Sequence, residues 1–181
     1  MFFQEVVHSP STDLDWLTYR DGDHVVPQRA NFFREICCVL PDHIAVFFPA
    51  AQGGLWDGET SISSQWGLAT FVHKRLTIIA QAQGFVHGIY GSAGYGDHPR
   101  SRSAHGLRVW DQSAGQAISV AHMHGLLGPA GKHDMSARTP SYKTPRKFAD
   151  YMLVNAAIEV HSFDVIRDPE VSDHCPLVLD F

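Results

Sequence analysis

Apolar and polar positions alternate with strand period along most of this chain and follow helical period once. Residues 1–7 read as a short strand, and the polar stretch 9–23 as a turn-rich loop. Within 27–40, Phe32, Phe33, Ile36, Cys37 and Leu40 recur at helical spacing, which predicts a helix stopped by Pro41. Residues 43–48 then read as a strand closed by Pro49, and the Gly- and Ser-rich stretch 50–64 as a loop. Residues 66–73 and 76–80 are β-prone on either side of the turn Lys74-Arg75, and 85–89 continue the pairing. A second loop, rich in Gly, Arg and His, covers 91–103. Two strands, 105–111 and 116–122, flank the turn Gln112-Ser113-Ala114-Gly115. After an irregular stretch at 125–142, strands at 150–154, 160–166 and 177–180 complete the pattern. Many strands and one helix predict an α+β fold with a mostly antiparallel sheet system.

The last third carries the candidate chemistry. Phe148-Ala149-Asp150-Tyr151-Met152-Leu153-Val154 alternates around an aspartate and reads as a buried strand. Ser172-Asp173-His174-Cys175-Pro176-Leu177 places an acid beside a histidine, then a proline that stops regular structure. If both reach one sheet end, Asp150 orients His174 and the pair can move a proton or stabilise phosphoryl charge. The plainer alternative makes Asp150 a turn cap and His174 a core histidine. Glu5 is the only acid in its apolar opening strand. It is either a hard-cation ligand or an exposed edge glutamate.

These segments resemble the endonuclease/exonuclease/phosphatase family of metal-dependent phosphoester hydrolases. The carriers are the Asp150-Tyr151 strand, the Ser172-Asp173-His174 segment and, at the other end, Phe3-Gln4-Glu5-Val6. The resemblance runs over most of the chain. It implies a four-layer α/β/β/α sandwich formed by 1–181 as one domain. It further implies Glu5 and Asp173 as ligands of Mg²⁺ or Mn²⁺, and His174, Asp150, His124 and Asp173 as catalytic residues. His124, before Gly125, matches a family histidine that points at phosphate; His122 shares its strand parity and stays open as the alternative. Gly67, in Trp66-Gly67-Leu68-Ala69, resembles a family strand glycine with a role in close packing. Arg100 and Arg102 could meet an anionic substrate, although solvated loop charge is the more ordinary reading.

Two parts of the family pattern are absent from the sequence. No asparagine-bearing strand precedes Glu5, and no Gly-Asp-x-Asn occurs. The text on either side of Ala137 and Arg138 resembles family segments that should not be adjacent. The domain therefore reads as truncated: a fragment, a decayed gene product or a divergent inactive member. The implied activity is hydrolysis of a phosphoester in nucleic acid, a lipid head group or a small molecule. The alternative is an inactive remnant that binds a phosphorylated ligand or a protein partner.

Composition narrows this a little. A net charge of −5 supplies no general basic field for duplex DNA, apart from a local patch at Lys143, Arg146 and Lys147. Three cysteines and twelve histidines show no zinc-type spacing. No apolar run reaches membrane-spanning length and no secretory leader is legible at Met1, so a cytoplasmic protein with reduced thiols is expected.

Overall fold

The computed structural model describes residues 1–91, 100–124, 154, 156–169 and 175–181. They belong to two compact units, 1–126 and 127–181.

The larger unit contains β1 (Phe2–His8), β2 (Trp16–Asp21), β3 (His24–Arg29), α1 (Phe32–Val39), β4 (His43–Asp57), β5 (Thr60–His73), β6 (Leu76–His87), β7 (Arg102–Asp111) and β8 (Gln116–Met123). Five of these strands form one sheet in the order β1-β5-β4-β2-β3, and three form another in the order β6-β7-β8. Every pairing is antiparallel. In the smaller unit, β9 (Ser162–Val165) and β10 (Leu177–Asp180) make an antiparallel pair.

The described chain is therefore mostly β, with one helix among the described residues. This overturns the expected α+β, four-layer α/β/β/α sandwich. The main reason lies at 50–64, where glycine and serine suggested a loop. Instead β4 and β5 form one long hairpin whose register runs from His43↔His73 to Asp57↔Thr60. Gly58 makes its two-residue turn possible with φ 55°. Pro49 does not close the strand, because the register shifts between Pro49 and Ala51, and a bulge tolerates the missing N–H. The helix is also shorter than the pattern 27–40 suggested: 24–29 pairs with β2 as a hairpin, in a region expected to be loop and helix start.

α1 lies on one face of the five-stranded sheet. Ile36, with Phe33, Cys37 and Leu40, packs on Val6, Ala69 and Phe71. Phe33 sits 5.0 Å from the Phe47 ring and 6.0 Å from that of Phe71, centroid to centroid. Burying Phe71 contributes about 2–3 kcal/mol. Strand alternation turns Thr70 and Val72 to the opposite face, where Val72 joins Leu107 and Val109 of β7, with Leu76, Ile78 and Ile118 around them. The second sheet thus covers the face that α1 leaves open. Residues 68–72 are buried on both faces, which is why they read as a continuous apolar run.

At Gly67 the strands β4 and β5 come so close that an added Cβ would overlap the Phe48 carbonyl oxygen and lie 2.7 Å from the Phe48 carbonyl carbon. The packing role expected for this glycine is the one it has.

Candidate functional site

β1 is not a regular strand. Its register against β5 shifts between Phe3 and Val6, and Glu5, inside the shift, has φ 54°. Left-handed backbone is uncommon for a residue with a side chain and costs about 1–2 kcal/mol. Bulges of this kind re-aim side chains. Here Gln4 Nε2 donates to the Met123 carbonyl at 2.9 Å, tying β1 to the end of β8. The His124 amide continues that end by donating to the Ser103 carbonyl at 3.1 Å. Glu5 Oε1 then faces His124 Nε2 at 3.6 Å. The Glu5 side chain is 67% exposed and that of His124 24%, so the pair stands at a rim open to solvent.

Arg102 opens β7 beside this pair. Burial lowers its guanidinium pKa, the Glu5 carboxylate opposes that shift, and Arg100 adds to it. A guanidinium stays charged in a protein, so the corner holds a partly desolvated fixed cation. Its Nε is buried and has no hydrogen-bond partner among the described residues. Arg100 reaches the Tyr19 hydroxyl at 2.9 Å and the Asp21 carboxylate at 3.3 Å. Neither arginine is the solvated loop charge that composition suggested.

Behind the rim lies a polar layer. The β7–β8 register pairs His105 with His122. Both are buried, as are Ser103 and Thr70. Thr70 Oγ1 and His105 Nδ1 share a 3.1 Å hydrogen bond between the two sheets. The His122 ring meets the edge of Phe2 at 5.4 Å. Burial, then the neighbouring His105 and His124, lowers the His122 pKa to about 4. Burial also lowers that of His105. His122, left open as the alternative to His124, is thus an interior neutral imidazole, and His124 is the histidine at the rim.

Of the residues singled out in the sequence, the fold brings Glu5 and His124 together. Asp150, Asp173 and His174 lie outside the described residues. Sequence reasoning missed His105 and Thr70. A usable signal existed for His105: the turn at 112–115 sets the register, and that register places His105 opposite His122.

Among the described residues, no group of three or more His, Cys, Asp or Glu side chains could hold a metal ion. Glu5 is an exposed carboxylate beside the Arg102 guanidinium, which suits phosphate. Mg²⁺ typically takes one or two carboxylates and fills its shell with water and substrate phosphate, so Glu5 fits such an ion as a single protein ligand. No helix among the described residues is long and apolar enough to cross a membrane.

No family model, curated protein or solved structure matches this chain.

Proposed function

We propose that this chain is a Mg²⁺- or Mn²⁺-dependent hydrolase of phosphoester bonds, related to the endonuclease/exonuclease/phosphatase family through the motifs around Glu5, Asp150 and His174. The proposal stands on those motifs and on the rim, not on a layer architecture. The observation that carries it is the meeting of Glu5 and His124 at 3.6 Å, beside Arg102.

In this reading Arg102 holds a phosphoryl oxygen through charge-assisted hydrogen bonds. His124, 3.6 Å from Glu5, binds a second oxygen through its ring N–H. The bulge at Glu5 keeps the carboxylate at the rim, where substrate can enter. Glu5 would hold the divalent ion, which would supply charge neutralisation at the phosphate and the leaving oxygen. The motif resemblance by itself implies Asp173 as a metal ligand and His174 with Asp150 as a proton-handling pair. The substrate class stays open among nucleic acid, a lipid head group and a small molecule. The acidic net charge weighs against duplex DNA. The free thiols Cys37, Cys38 and Cys175 suit a cytoplasmic location.

A second reading is supported by the same corner. It offers the Arg102 guanidinium for phosphate but a single carboxylate for a metal among the described residues, which suits a remnant that binds a phosphorylated ligand without turnover.

Hydrolysis of an aryl phosphodiester, with and without Mg²⁺ or Mn²⁺, separates the two. The hydrolase reading expects metal-dependent turnover that Glu5→Ala, His124→Ala and His174→Ala each abolish. Absence of turnover from a cooperatively folded protein, with phosphate binding weakened in Arg102→Gln, sinks that reading and leaves the remnant. Absence of both removes the site.

A further inference from the structure

We propose that His105 and His122 form an acid-sensitive latch that holds the two sheets of the larger unit together only while both imidazoles are neutral. The geometry comes first. The two residues are direct cross-strand partners on β7 and β8. Their shared face turns toward β1 and β5, where His105 bonds Thr70 and His122 packs on Phe2. Their relative exposures are 2% and 8%. His105 Nε2 and His122 Nδ1 are buried without hydrogen-bond partners among the described residues. A proton added at either nitrogen meets no acceptor among the described residues.

The surroundings make a second charge worse. From β7, His105 itself acts on His122. From β8, His124 acts on His122, and from β1 the Met1 ammonium does the same. Glu5 is engaged with His124 at the rim. From β5, Thr70 is neutral. Protonating His122 therefore places a charge with little solvation beside other basic groups, and protonating His105 places one where burial denies it solvation.

The direction of the pH effect follows. The unfolded chain binds protons near the ordinary histidine pKa of 6.5, whereas folded His122 does so only at about 4. Stability is complete above the first value and falls as pH drops toward the second. His122 alone lowers the folding equilibrium constant about twentyfold between neutral pH and about pH 5. Because β8 leads into His124, separation of the sheets also takes apart the Glu5–His124 rim.

The test is urea unfolding of the full chain near neutral pH and at about pH 5, for wild type, His122→Phe and His105→Gln. The expected result is a steep loss in wild type and a loss at least tenfold smaller in His122→Phe, which needs neither proton nor partner. An equal loss in wild type and His122→Phe overturns the proposal. Should the variants fail to fold, an NMR titration of the wild-type imidazoles decides. The latch requires that two histidines stay neutral until the fold opens. Titration of every imidazole near 6.5 in a protein that remains folded overturns it.

Discussion

Glu5 Oε1 and His124 Nε2 stand 3.6 Å apart, although one lies in the first strand of the larger unit and the other just follows its last. The contact depends on a bulge in β1 and on the Gln4–Met123 hydrogen bond that draws the two strand ends together. An exposed pair of this kind adds little to stability, at most about 1 kcal/mol. Its position argues for a role at the rim and not for a structural one.

That separation of roles is measurable at Glu5. Glycine accepts φ 54° without the steric cost that glutamate bears there. Glu5→Gly should stabilise the fold by about 0.5–1 kcal/mol in urea unfolding, after the greater chain entropy of glycine is discounted. If the proposed hydrolase reading holds, the same variant loses metal-dependent phosphoester turnover. A destabilised Glu5→Gly protein would show that the bulge geometry is held for packing.

Gly67 should be intolerant of the smallest side chain. An alanine Cβ meets the backbone of Phe48 and the Pro49 Cα, which cannot rotate away. Gly67→Ala should cost about 3 kcal/mol. Thermal denaturation reads this directly, and an unchanged midpoint would contradict the close approach of β4 and β5.

Asn31 should matter more than its place before α1 suggests. Its side chain does not cap the helix. Instead, Nδ2 donates to the Ser9 carbonyl at 2.7 Å, and Oδ1 accepts from the Ser9 amide at 3.1 Å and meets His8 Nδ1 at 2.8 Å. Asn31→Ala leaves the buried Ser9 amide unpaired, while the Ser9 carbonyl keeps the Thr12 amide at 3.3 Å, and should cost about 1–3 kcal/mol. Chemical denaturation should show this without a change in the slope that reports exposed area.

Asp111 ties down the turn between β7 and β8. Its carboxylate accepts from the Ser113 hydroxyl at 2.6 Å and from the Ser113 amide at 2.9 Å. The Ser113 hydroxyl and then the Ala114 amide lower its pKa below the ordinary 3.8. The depressed value means that this stabilisation is present above 3.8 and is lost as pH falls through the lower folded value. Asp111→Ala should therefore be less stable than wild type near neutral pH, and the difference should shrink in acid. A constant difference across that range would assign the effect to packing and not to the charge.

Read alone, the sequence determines what local chemistry can determine. The apolar spacing around Ile36 specifies a helix and Pro41 ends it, because side-chain period and the missing proline N–H act within a few residues. The strands on either side of Gln112-Ser113-Ala114-Gly115 were legible for the same reason: alternation and turn residues sit side by side. Glu5 was recognisable as an acid out of place in an apolar strand. The long β4–β5 hairpin was not legible, because glycine and serine there are tolerated by pairing with the opposite strand, and pairing is not written in local propensity. Tertiary structure alone decided that Glu5 meets His124, that Arg102 is partly buried beside them, and that His105 bonds Thr70 between sheets. Those contacts join strands far apart in the chain, and they form only when burial of Val72, Leu107 and Val109 brings the two sheets together.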